Sequence, residues 1–123
     1  MAQGMEREEF ERALEADSVR RYQRYQIDVG LQVHFSRSGV SYSLRGRGSD
    51  IGGGGMSAFV PAELEVGQSL GLVVKLPYSS EQLSLQAVVR NRSGFRYGLE
   101  FVSPSERERT VIERCCMALS LVQ

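Results

Sequence analysis

Arg20 and Arg24 stand four residues apart in the run Arg20-Arg21-Tyr22-Gln23-Arg24, and further along the chain reads Asp50-Ile51-Gly52-Gly53-Gly54-Gly55-Met56. A guanidinium is a planar fork of donors that matches phosphate oxygens or the O6/N7 edge of guanine, and it stacks on bases. The Asp50 carboxylate is an acceptor suited to the N1–H and N2–H₂ edge of the same base. Four consecutive glycines are costly to order, because glycine loses the most backbone entropy on folding. Their expected return is a main chain that adopts positive φ, comes close to a ligand and offers N–H groups to an anion. Together the set is complementary to guanine plus phosphate. No Gly-Lys-Ser/Thr follows the glycines and no Gly-x-Gly-x-x-Gly can be read from them, so this is neither a Walker loop nor a dinucleotide fingerprint. His34, the single histidine, falls on the polar face of an expected strand. With no Ser/His/Asp or Cys/His arrangement, no catalytic residue is expected, and no cluster has metal-ligand spacing.

Charge is unevenly distributed in a chain whose formal net charge is zero. Residues 1–19 carry six acids (Glu6, Glu8, Glu9, Glu11, Glu15, Asp17) against Arg7 and Arg12, a net of −4. Residues 20–50 carry six arginines against Asp28 and Asp50, a net of +4. The middle is a local anion-attracting region, while the neutral total gives no pull toward a nucleic-acid polymer or an anionic membrane. Of 15 basic residues only Lys75 is lysine. The charged first residues lack the apolar core of a signal peptide, and no apolar run approaches the ~18 residues that span a bilayer. Adjacent Cys115 and Cys116 diverge on a helix and read as small buried hydrophobes in a reducing, cytoplasmic setting.

The elements that must position these groups follow from periodicity. Residues 5–16 read as a short acidic helix with a thin apolar stripe of Phe10, Ala13 and Leu14, followed by a connecting segment at 18–25. Ile27, Val29, Leu31, Val33 and Phe35 alternate with polar residues as a half-buried strand, Ser38-Gly39 turns, and Val40, Tyr42 and Leu44 form a second strand. A polar loop is expected from about Gly46 to Gly55. Further strands are expected at 56–60, 69–76, 83–89 and 95–102, the last pair joined by Asn91-Arg92-Ser93-Gly94, with Phe95, Tyr97, Leu99 and Phe101 on the core face. Ser105 and its neighbours form a capping box before a helix whose stripe is Ile112, Cys115, Cys116, Leu119 and Val122. A chain of 123 residues supports one modest core. The expected fold is mainly β: a six-stranded antiparallel barrel, which hides its strand edges, with a C-terminal α-helix and a short N-terminal helix. In a meander, residues 20–25 and 50–55 share the end of the first hairpin away from its turn, so the topology brings the arginines to the glycines.

Arg20-x-x-x-Arg24 followed by Asp50-x-Gly52-x-x-Gly55 resembles the two signatures of the PilZ domain, Arg-x-x-x-Arg and Asp/Asn-x-Ser-x-x-Gly. The likeness continues through Gly67-Gln68-x-Leu70, Leu76-Pro77, Val88-Val89-Arg90 and Tyr97-Gly98-Leu99-Glu100-Phe101. The resemblance implies a barrel domain over residues 20–123 after an acidic segment at 1–19, and a receptor for cyclic di-GMP that is not an enzyme and needs no cofactor. By position it gives Arg20 and Arg24 the clamping of bases and phosphates and sets Asp50 and Gly55 at one guanine, with Arg21 and Gly54 beside them. Gly52 stands where the family usually has serine, which removes one hydroxyl from the ligand's partners. Ligand would draw residues 18–25 onto the barrel and alter the surface offered to a downstream protein in motility, biofilm or polysaccharide output. The alternative is an interaction adaptor that has stopped binding nucleotide. Monomer and homodimer both remain open.

Overall fold

The computed structural model describes residues 23–123, so the expected N-terminal helix, the boundary at residue 19, Arg20 and Arg21 lie outside the described residues. Six strands and one helix follow: β1 Tyr25–Arg37, β2 Val40–Ile51, β3 Gly55–Phe59, β4 Ser69–Lys75, β5 Gln82–Ser93, β6 Arg96–Phe101, and α1 Glu106–Ser120. Every pairing is antiparallel, and the sheet closes in the order β1-β2-β3-β6-β5-β4. This is the expected barrel with a different winding. A meander would pair β3 with β4, whereas residues 60–68 carry the chain across so that β4 pairs with β1 and β3 with β6.

Alternation sets the core. Leu31, Val33 and Phe35 of β1, Leu70, Leu72 and Val74 of β4, Leu83, Leu85, Ala87 and Val89 of β5, and Tyr97, Leu99 and Phe101 of β6 all face inward and are buried. Burying a Leu- or Val-sized side chain contributes about 1.5–3 kcal/mol relative to exposure, so this interior is the main source of stability. The crossover is held from inside. The Tyr97 hydroxyl donates to the Ala62 carbonyl at 2.6 Å and accepts from the buried Leu64 N–H at 3.0 Å. Tyr97→Phe keeps the ring but orphans both backbone groups. We expect a loss of roughly 1–3 kcal/mol, read as a lower midpoint in denaturant with an unchanged slope.

Helix α1 starts as expected. Ser105 accepts from the Glu108 N–H at 3.1 Å while the Glu108 side chain accepts from the Ser105 N–H at 2.9 Å. Val111, Ile112, Cys115 and Leu119 are buried and join the barrel core, and the Gln123 side chain bonds both the N–H and C=O of Gln26. Both cysteines are free thiols, and burial pushes the Cys115 thiol up to about 11.

Several expectations change. The segment from Gly46 to Ile51 is strand, not loop, because β1 and β3 pair with it on either side. Asn91 and Arg92 are likewise strand, paired with Gly98 and Tyr97. Val40 and Tyr42 are exposed rather than half-buried, since the tip of the β1–β2 hairpin extends past the strands that cover its base, and Tyr42 stacks on Phe35 at 5.2 Å. Phe95 and Val122 are exposed as well: Phe95 sits in the turn, where Gly94 at φ 62° breaks the alternation, and Val122 lies beyond the last turn of α1.

Candidate functional site

Asp50 faces outward because β2 carries a bulge. Leu44, Gly46 and Gly48 occupy the inward phase of the strand, which simple alternation would continue into residue 50. The register against β3 slips between Gly48 and Asp50, one extra residue resets the phase, and Ile51 is buried while the Asp50 side chain stays 17% exposed. The carboxylate is then gripped from three directions. Oδ1 accepts from Arg24 Nη1 at 2.8 Å and from the Ser57 N–H at 3.0 Å, and Oδ2 accepts from Arg96 Nη2 at 2.9 Å. Two guanidinium groups from distant parts of the chain therefore converge on one carboxylate.

The pairing Tyr25↔Ile51 and Gln26↔Asp50 places the start of β1 beside the end of β2, and the turn Gly52–Gly54 follows directly. That turn is closed by the Gly52 N–H donating to the Gly55 carbonyl at 2.9 Å and anchored to β6 by the Phe101 N–H donating to the Gly54 carbonyl at 2.9 Å. Among the described glycines the left-handed ones are Gly39, Gly67 and Gly94, so the four-glycine run does not use positive φ. Gly55 serves close packing instead: a Cβ there would stand 2.1 Å from the Leu99 carbonyl oxygen.

Beside this turn lies a cleft of about 570 Å³, lined by Arg24, Gly53, Gly54 and Gly55 on one side, by Arg90, Asn91 and Gly98–Phe101 beneath, and by Pro104, Arg109 and Glu113 of the α1 region. A β5 bulge between Val89 and Asn91 sets Asn91 across from Gly98, where its side chain fills the space a Cβ would take. Arg90 is tied to Glu100 at 2.5 Å. Arg24 also reaches toward α1: burial raises the Cys116 thiol, and the Arg24 guanidinium draws it back down.

Of the residues singled out from the sequence, Arg24, Gly54 and Gly55 line the cleft, and Asp50 stands behind it as the carboxylate that holds Arg24. Gly52 is buried at the base of the turn. Arg20 and Arg21 are outside the described residues. Sequence reading missed Arg96, Arg90, Arg109 and Asn91. Alternation in β6 does put Arg96 on the outer face, but only the β3–β6 pairing carries it to Asp50. Among the described residues no group of acids, histidine and cysteines is arranged to hold a metal, and no helix is long and apolar enough to cross a membrane.

Comparison with known proteins decides the family, since the model described as the PilZ domain matches residues 18–118. The chain belongs to the PilZ domain family. Solved structures with this PilZ fold include the Bacillus subtilis inhibitor of motility, MotI/DgrA, at 20% identity and a TM-score of 0.68 over 83% of this chain. The chain spans about half, 51%, of that protein's length. The PilZ domain of YcgR from Escherichia coli, solved with c-di-GMP, matches at 21% identity and a TM-score of 0.64, covering 82% of this chain and 91% of that one. The PilZ domain of CeSA from a cellulose-synthesising bacterium matches at 18% identity and a TM-score of 0.61, covering 80% and 98%. Among curated proteins no sequence matches.

Proposed function

We propose that this PilZ domain is a receptor for cyclic di-GMP that changes conformation on binding and so regulates a partner protein. The observation that carries the reading is the Arg24 guanidinium, pinned to Asp50 at 2.8 Å at the edge of a cleft walled by the bare main chain of Gly53–Gly55. A phosphate needs a fork of donors and a purine needs a flat approach without side chains, and both are offered at one spot. Arg20, one Arg-x-x-x-Arg interval earlier, would supply the second clamp. Oδ1 of Asp50 already accepts two bonds, so its acceptor capacity is spent. Arg24 spends only an Nη1 N–H on Asp50 and keeps its other donors for a phosphate, so Asp50 aims it. The conformational step is the drawing of residues 18–25 onto the barrel, driven only by contacts the bound state gains. Carbohydrate or motility machinery is the expected class of target, in keeping with the motility inhibitor and the cellulose-synthesising bacterium named among the similar structures.

Titrating cyclic di-GMP into the protein in a calorimeter should give micromolar or tighter binding. Gly52→Ser should tighten it by roughly two- to tenfold, the value of one neutral hydrogen bond. A folded wild type that gives no heat removes the proposal. The adaptor reading would then take its place, and Gly52 in the serine position is the observation that favours it.

A further inference from the structure

A second depression, of about 440 Å³, lies on the outside of the barrel and shares no residue with the cleft at Arg24. Arg45 and Arg47 of β2 form one rim, and Phe59, Pro61 and Phe95 line the rest. Phe59 is 50% and Phe95 53% exposed, two phenyl rings that line one depression and are left in water by alternation and by the turn. Cations crowd them: Arg96 lies opposite Phe59 in the β3–β6 ladder, and the Arg92 guanidinium stands 5.8 Å from the Phe95 ring centre. Arg47 is paired with exposed Asp28, but among the described residues Arg45 has no salt-bridge partner. A surface of this kind takes an apolar side chain flanked by carboxylates.

The chain contains such a sequence close by. Residues 1–19 hold Phe10 and Leu14 among six acids at a net charge of −4. The described chain begins at Gln23, and the next residue, Arg24, is fixed to the same carboxylate as Arg96, the ladder partner of Phe59. Leu14 is ten residues before Arg24, a tether of up to roughly 33 Å when extended, ample to reach a groove that adjoins Arg96. We propose that the groove of Phe59 and Phe95 is the docking site of this chain's own acidic segment, residues 5–17. Phe10 and Leu14 would contact the two rings and the carboxylates would face Arg45 and Arg47. The inference needs no nucleotide and does not depend on the receptor reading.

The test uses the whole 123-residue chain labelled with ¹⁵N, without ligand, because Phe10→Ser with Leu14→Ser alters nothing in the barrel. Backbone amide resonances of Arg45, Gly46, Arg47, Phe59 and Phe95 should shift between wild type and this variant. The same amides should shift in the same direction when salt is raised to about half-molar, as expected for exposed charges. Arg45→Glu should reproduce the change. Shifts that map to another face, or that are confined to the neighbours of the substituted residues, overturn the proposal. Shifts that grow with protein concentration also overturn it, because they assign the groove to a second copy.

Discussion

Arg24→Ala should weaken cyclic di-GMP binding severely, yet measurably, while leaving the barrel folded. A charge-assisted bond contributes roughly 1.5–3 kcal/mol, and a clamp arginine makes more than one, so the loss exceeds about a hundredfold in dissociation constant. Stability should barely move. The Arg24–Asp50 pair is about half exposed on the arginine side, and exposed pairs contribute about 0–1 kcal/mol. The more informative variant is Asp50→Asn, which keeps an acceptor for the Ser57 N–H but releases both Arg24 and Arg96. If Asp50 acts by aiming Arg24, its substitution costs binding in the wild type and nearly nothing once Arg24 is alanine. A double-mutant cycle separates this from a carboxylate that contacts guanine directly, for which the two losses add. Calorimetry on the four proteins, with circular dichroism to verify folding, reads the outcome. Undiminished binding in Arg24→Ala would refute the assignment of the site.

Some of this arrangement is legible without coordinates and some is not, for identifiable reasons. The inward sets of β1, β4 and β5 announce themselves because side chains alternate strictly along an extended chain. The first hairpin then forces residue 24 toward residue 50 whatever else the fold does. The far half of β2 is illegible because Gly46, Gly48 and Ser49 have weak strand preference. The stretch is strand because Leu31, Gly30 and Val29 pair with Gly46, Arg47 and Gly48 on one side and Phe59 and Ala58 pair with Arg47 and Gly48 on the other, Ser49 being the bulged residue, a context that overrides propensity. Strand order is hidden for a related reason: nothing in residues 60–68 specifies which neighbour β4 will take. With the order unknown, Arg96 looks like one more solvated arginine on an outer face, and its meeting with Asp50 cannot be foreseen. Phe95 fails differently, since a left-handed glycine just before it resets an alternation that reads as continuous on paper.

The bulge in β2 shows how the motif Asp50-x-Gly52-x-x-Gly55 divides its labour, and this gives the largest stability prediction. Asp50 must face out, Ile51 must face in, and the chain must then turn through Gly52–Gly54 and run back as β3 against β6. At Gly55 the two backbones come so close that a Cβ would lie 2.1 Å from the Leu99 oxygen, 3.1 Å from the Leu99 carbonyl carbon and 3.2 Å from the Glu100 Cα. All three are main-chain atoms that no rotamer change can move. Gly55→Ala must therefore pry β3 from β6 at the pairs Gly55↔Glu100 and Met56↔Leu99, lifting the fully buried Met56 and Leu99 out of contact. Steric strain in a core of this kind belongs to the severe class, roughly 4 kcal/mol or more. For a domain near this size that is a fall in Tm of well over 10 °C, at about 4–8 °C per kcal/mol. Gly39→Ala is the control: its φ of 77° makes alanine strained by about 1 kcal/mol, but a Cβ there meets nothing within 4 Å. A large drop for Gly55→Ala beside a small one for Gly39→Ala means that this glycine of the motif is dictated by the β3–β6 approach. Equal drops would mean that loss of backbone freedom, not the contact with Leu99, sets its cost.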